Sequence, residues 1–366
     1  MKKLSKILAL VLALVMVLGL AACGEKAPAA SADPAAPSQG NEKVDDTVYT
    51  FKIDYPNPEN SVAYVALTEW SDMLREQSNG RLDFQIYANG TLGSIMDCVT
   101  NCVGGLTDGF WSALTIYAGL YREAEAFTLP MMDVTSGQVG SAVLTAMLEE
   151  SGYYDEAFSN LYVVTLHSSP AMPIGFKDST PVTKMADMAG LNMRVTGGYN
   201  SNWVTAVGAN PVSVGSNDGY EYLEKGIINS FLYDWDKIQS SALLEQTGYI
   251  IDGKVSASEL FFCLNKDRYE ELPDDLKALI DGSGQWFRDR VCELFDEQAD
   301  TMIAEAKAKN IPVVEMSDEM TAELQAAAES VWQAWIDEMN AAGYDGQGIF
   351  DKTVEYIAYY NGVYGG

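Results

Sequence analysis

VYTFKIDY (48–55), VAYVALTEWSDMLREQ (62–77) and RLDFQIY (81–87) are the stretch of sequence that decides the fold. Tyr49, Phe51, Ile53 and Tyr55 share one face and Thr50, Lys52 and Asp54 the other, which predicts a strand. Val62, Val65, Ala66, Trp70, Met73 and Leu74 then recur at helical spacing. Ser78-Asn79-Gly80 ends that helix with residues that accept a left-handed backbone. Leu82, Phe84 and Ile86 alternate again in a second strand. A turn at Asn89-Gly90, a helix over 95–103 and a strand over 109–114 extend the rhythm. Strand–helix–strand–helix is the signature of a parallel sheet covered by helices.

The same texture runs on. Strands are predicted at 162–168, 191–195, 211–214, 227–233, 260–265 and 311–315, with short helices at 200–207 and 218–225. From Pro273 to Lys309 the only turn residues are Gly282 and Gly284, and apolar residues fall near helical spacing. One helix of roughly 35 residues and about 50 Å is predicted there, long enough to cross two lobes. Another is predicted over 318–339.

The chain begins with a leader. Lys2, Lys3 and Lys6 precede an apolar run from Ile7 to Leu20, which is too short to span a bilayer and reads as a secretory signal. Leu20-Ala21-Ala22-Cys23 resembles the lipobox of bacterial lipoproteins, which implies lipidation of Cys23 and an extracytoplasmic, membrane-anchored protein. Residues 24–46 are rich in Ala, Pro and Ser and lack aromatics, the composition of a flexible tether.

The formal charge of −29 includes the three leader lysines, so the exported chain is more acidic still. That argues against nucleic acid and anionic lipid as partners. An anionic ligand needs a local cation. Beyond Cys23 there are Cys98, Cys102, Cys263 and Cys292, with no Cys-x-x-Cys, and the one histidine is His167. Most zinc and histidine-based catalytic arrangements are thereby excluded. No phosphate-cradling loop or paired carboxylates stand out, so the sequence calls for no catalytic residue, metal or cofactor. His167 reads as a buried or hinge-region histidine, and Gly197-Gly198 as a turn.

Six motifs in order resemble the DctP-type substrate-binding proteins of tripartite ATP-independent periplasmic (TRAP) transporters. They are Ser78–Leu82 with Tyr87–Gly93, Gly105–Asp108, Phe127–Pro130, Pro181-Val182 with Ala186–Val195, Gly208–Val212 and Leu223–Asn229. The resemblance implies an α/β, two-lobed fold like that of periplasmic binding proteins, with a hinge between lobes and a long lobe-spanning helix. Residues 1–22 are then the leader and 23–47 the lipidated cysteine and tether. Residues 48–167 and 257–290 form lobe 1, and 168–256 and 291–366 form lobe 2. The chain crosses near Ser168, near Ser256 and along the long helix.

The resemblance places Arg194 where the family clamps a ligand carboxylate. A guanidinium matches a carboxylate's two oxygens with parallel donors. A second arginine of some members falls near Ile174 here, and a ligand-contacting asparagine of many falls at Tyr233, beside Asp234 and Trp235. These replacements point to a monocarboxylate with an apolar or aromatic body, with Tyr233 and Trp235 in contact. Loops at the C-terminal ends of parallel strands supply the facing wall: Tyr55, Glu59, Ser61, Ser94 and Trp111. Tyr55 and Trp111 are expected to sandwich the ligand, and Glu59 to take a hydroxyl or amine. The leading reading is a solute-binding protein that delivers an organic acid to TRAP membrane subunits. A ligand sensor for a membrane kinase and a surface-anchored hydrolase or lyase are the alternatives.

Cys23→Ser is expected to abolish lipidation. Fractionation checks this: a variant that partitions into membranes as the parent does would disprove the anchor.

Overall fold

The computed structural model describes residues 46–117, 119–150, 156–215, 218–253 and 255–364. The leader, Cys23 and most of the tether lie outside them. Strands β1 (Tyr49–Asp54), β2 (Leu82–Tyr87), β3 (Gly109–Ala113), β4 (Leu161–Ser168), β5 (Ile174–Phe176), β6 (Asn192–Val195), β7 (Asn210–Ser213), β8 (Ser230–Leu232), β9 (Tyr249–Asp252), β10 (Glu259–Asn265) and β11 (Val313–Glu315) form two sheets. The helices are α1 (Val62–Gln77), α2 (Cys98–Val103), α3 (Gly137–Glu150), α4 (Gly198–Ala206), α5 (Gly219–Glu224), α6 (Trp235–Ser240), α7 (Lys266–Glu270), α8 (Asp274–Asp281), α9 (Gly284–Ala308), α10 (Asp318–Ala341) and α11 (Gly346–Tyr364).

The first sheet has the order β2-β1-β3-β10-β4 and the second β11-β9-β5-β8-β6-β7. Alternation places Phe51 and Ile53 of β1 under α1, where Trp70 and Leu74 complete that layer. Asn79 and Gly80 take φ of 54° and 82°, the left-handed end expected for α1. The sheets are not purely parallel. β10 runs antiparallel to β3 and β4, and β5 antiparallel to β8 and β9. Each reversed strand is the one that has just arrived from the other sheet, so it enters against the local direction. The two crossings lie side by side. Ser169 N–H donates to Ser258 O at 3.1 Å, and Met172 N–H to Ser256 O at 2.7 Å.

Both faces of each sheet are covered. In β10, Leu260, Phe262 and Leu264 join the layer under α1, while Phe261 and Cys263 join a layer with Phe110, Val139 and Leu144. In the second sheet Leu232 and Ile251 pack with Trp203, and Phe231 and Ile250 pack with Ile238. The chain is thus a two-lobed α/β fold.

The predicted single helix over 273–309 is two. It breaks at Gly282-Ser283, where Ser283 Oγ donates to Ile280 O at 2.7 Å and accepts from Trp70 Nε1 at 2.8 Å. The remaining lobe-spanning helix α9 is about 37 Å long. Phe287, Val291 and Phe295 pack in the first lobe, and Met302 and Ala306 in the second. α10 spans as well: Leu324 and Ala328 pack in the second lobe, Trp335 and Met339 in the first. The assignment of 291–366 to lobe 2 is therefore corrected. Tyr356 and Ile357 of α11 sit in the core of the first lobe, beside Val143 and Met147 of α3. Apolar periodicity marks the buried face of a helix but not the sheet that receives it.

The four cysteines within the described residues are buried free thiols. Burial pushes Cys98 up to about 12 and Cys292 to about 11, and raises Cys102 and Cys263 as well.

Gly284 lets α9 pass against β4: a Cβ there overlaps the Val164 carbonyl oxygen. Gly284→Ala is expected to destabilise by about 1–3 kcal/mol. Gly362→Ala, in open space on α11, is expected to be neutral or to stabilise by up to about 1 kcal/mol. Urea midpoints check both; no difference between the variants would refute the close-approach argument.

Candidate functional site

A cavity of about 310 Å³ lies between the two sheets. The first lobe contributes Asn57, Ser61, Ala63, Trp111 and Thr115, the second Arg194, Tyr199, Tyr233 and Lys237, the crossings Met172 and Glu259, and α9 Phe295.

Arg194 stands on β6, 2% exposed. Its Nη1 donates to Leu232 O at 3.1 Å and its Nη2 to Val214 O at 3.3 Å. Its guanidinium carbon lies 3.8 Å from the centre of the Tyr233 ring, a cation–π contact. Nε has no hydrogen-bond partner, and among the described residues no carboxylate forms a salt bridge with Arg194. Burial lowers its pKa, opposed by Tyr233 and Asp234. A guanidinium so desolvated, with no carboxylate in salt-bridge contact among the described residues, favours an incoming anion.

Trp111 is also at the cavity wall, held by Nε1 donation to His167 Nε2 at 2.8 Å. Burial, aided by Arg288, lowers His167 to about 3, so the imidazole is neutral. Tyr55 does not reach the cavity. It is fully buried, its ring centroid 5.2 Å from that of Trp111, and its hydroxyl shares a 2.6 Å hydrogen bond with Ser61 Oγ. The expected sandwich is replaced by a tilted ring contact, 45° between the planes, with Tyr55 behind Trp111. Ser61 lines the cavity but also donates to Pro58 O at 2.6 Å.

Three further candidates lie off the cavity. Glu59 is exposed, and Asn57 takes the wall position nearby. Ser94 is exposed and accepts from Met96 N–H, capping the short turn Ile95–Asp97, while Ile95 faces the cavity. Trp235 packs with Phe231 and Ile238 and lines a separate cavity with Asp252, Ile303 and Met316. Asp234 N-caps α6, accepting from Lys237 N–H at 2.7 Å. That cap sets the helical phase, turning Trp235 inward and Asp236 and Lys237 toward the cleft.

The match of a family model, bacterial extracellular solute-binding protein, family 7 (DctP), covers residues 54–338. The chain belongs to this family. The family 7 protein is 22% identical over 278 residues to the 2,3-diketo-L-gulonate-binding periplasmic protein YiaO of Escherichia coli K12, covering 72% of this chain and 80% of that one. Among solved structures it resembles a marine metagenome TRAP solute-binding protein specific for aromatic acids, in complex with metahydroxyphenylacetate. That likeness has TM-score 0.79 and 23% identity and covers 85% of this chain and 99% of the other. A TRAP solute-binding protein from Rhodoferax ferrireducens T118, in complex with copurified benzoate, matches with TM-score 0.78 and 21% identity over 86% and 99%. Among the described residues of the family 7 protein, no helix is long and apolar enough to cross a membrane.

Sequence reasoning missed the carboxyls of the family 7 site. Glu259 opens β10 and accepts from Thr115 N–H at 2.7 Å; burial pushes it up to about 8. Burial also raises Asp234 and Glu125, and burial together with Asp234 raises Asp236. Lys237 is lowered by the same desolvation, against the pull of both aspartates. The run Tyr233–Lys237 at a strand end was the available signal for Asp236 and Lys237.

Glu259 carries a pH prediction. The folded protein holds its proton up to about 8, whereas an unfolded glutamate releases it near the usual 4.5. Its contribution to stability is complete below that unfolded value and declines as pH rises through the folded one. The melting temperature is expected to fall between pH 5.5 and 8.5, and Glu259→Gln to flatten that slope. An unchanged slope in the variant would reject Glu259 as its source.

Proposed function

We propose that the protein captures a small organic monocarboxylate with an apolar or aromatic body and delivers it to the membrane subunits of a TRAP transporter. The observation that carries this reading is Arg194, a buried guanidinium at the cavity wall with no carboxylate partner among the described residues. Its two backbone acceptors fix the fork, so a ligand carboxylate meets it in one geometry. Trp111, Tyr233, Met172 and Phe295 offer apolar surface for the ligand's body. A volume of about 310 Å³ suits a compact acid rather than a large one. The related aromatic-acid and benzoate complexes support that class. The lobes close on the acid and return it unchanged, which makes the protein a carrier and not an enzyme. The leader and Cys23 support export and tethering by lipid to the outer face of the cell membrane.

Calorimetry with benzoate and 3-hydroxyphenylacetate tests the reading. Removing one partner of a desolvated charge pair costs about 2–5 kcal/mol. Arg194→Ala is therefore expected to weaken binding at least ~30-fold, and Arg194→Lys to restore it only in part, because an ammonium lacks the fork. Affinity for a bound acid unchanged within about threefold in Arg194→Ala would overturn the clamp. Absence of binding of either acid by the parent would overturn the ligand class.

A further inference from the structure

α1 begins in the first lobe with Ser61 as its N-cap, yet the Ser61 side chain makes no cap hydrogen bond. Its Oγ is committed to Pro58 O and the Tyr55 hydroxyl. The opening N–H of the helix turns elsewhere. Val62 N–H donates to Oδ1 of Asp236 at 2.8 Å, and Asp236 stands 174 positions later, in the first turn of α6 in the second lobe. One lobe thus supplies the missing cap of a helix in the other. A carboxylate is the acceptor that a helix N-terminus favours most, since dipole and unpaired donors act together.

The bond differs in kind from those near the crossings. Ser169 with Ser258 and Met172 with Ser256 join the two neighbouring connecting segments at the crossings, which a change of lobe angle would leave together. Val62 and Asp236 stand on elements that belong to opposite walls of the cleft. Both Asp236 and Ala63, the residue after Val62, line the cavity. Opening the lobes would separate this donor from this acceptor.

We propose that Asp236 is a positioning residue for lobe closure, a latch whose carboxylate seats on the N-terminus of α1 when the cleft shuts. It acts through the closed population and needs no contact with the ligand. Apparent affinity scales with the fraction of molecules in the binding-competent state, so the latch tunes affinity from outside the clamp. The proposal rests on the reading of the cleft as one that closes around a solute, but its test needs no ligand.

Two variants remove the same bond from opposite ends. Asp236→Ala removes the acceptor. Val62→Pro removes the donor, and proline is tolerated at the first helical position after an extended residue, which Ser61 is, with φ −84° and ψ 151°. Asp236→Asn keeps an acceptor oxygen and loses the charge. In ligand-free full-length protein, Asp236→Ala is expected to speed amide exchange at Val62 at least tenfold, with Trp70 in the same helix unmoved. Asp236→Asn is expected to recover part of that protection. Small-angle scattering should show the same enlargement for Asp236→Ala, for Val62→Pro and for the double variant, because the bond is lost only once. Unchanged exchange at Val62 would overturn the proposal. So would faster exchange with scattering curves identical to the parent, which reduces Asp236 to a local cap. So would enlargements that add in the double variant. A separate titration of the parent with benzoate reports on the proposed ligand class: failure to compact rejects that class and leaves the ligand-free comparison to decide the latch.

Discussion

The constraint on which the structure depends is the pair of crossings between the sheets. Backbone bonds between Ser169 and Ser258 and between Met172 and Ser256 hold them side by side. Each crossing hands a strand to the other sheet against the local direction, so β5 and β10 are each locked between two neighbours. The lobes cannot come apart without breaking sheet. The cavity lies beside them, and Met172, Ser256 and Glu259 belong both to the crossings and to its wall.

The second organising fact is electrostatic. The chain is strongly acidic, and its cleft is lined by Asp234, Asp236, Glu125 and Glu259 as well as by Arg194 and Lys237. Burial favours the neutral form of each of these carboxyls. The Arg194 guanidinium keeps its charge while burial lowers its pKa, because arginine titrates far above neutrality. Arg194 thus keeps its full charge beside carboxyls whose charged forms burial disfavours.

The elements that repeat locally were legible. Alternation located β1 and β2, and helical spacing with Ser78-Asn79-Gly80 located α1 and its end. Strand direction in β5 and β10 was not legible, because it depends on which sheet the chain comes from. Gly282 and Gly284 were visible in the sequence, but the break between α8 and α9 also depends on Ser283 meeting Trp70, which is far away in the chain. In the site, the motif placed Arg194 at the cavity wall. Tyr55 and Trp111 were read as two walls, whereas their rings pack against each other at a tilt and only Trp111 reaches the cavity. Trp235 was favoured as an aromatic, but the Asp234 cap gives the wall to its neighbours. The pairing of Val62 with Asp236 spans 174 positions, and no local pattern encodes it.

The buried thiols impose a condition on how the protein matures. Members of this family are extracellular solute-binding proteins, and oxidising conditions prevail outside the cytoplasm. Cys98, Cys102, Cys263 and Cys292 are free and sealed in the core, and the raised pKa values keep them as unreactive thiols once folded. In the unfolded chain they are exposed and far more reactive. Folding therefore races oxidation: the core must close over four sulfurs before any two of them pair. Among the described residues, the native state presents no thiol pair for the disulfide-forming machinery to join, so the speed of collapse is what protects the core sulfurs.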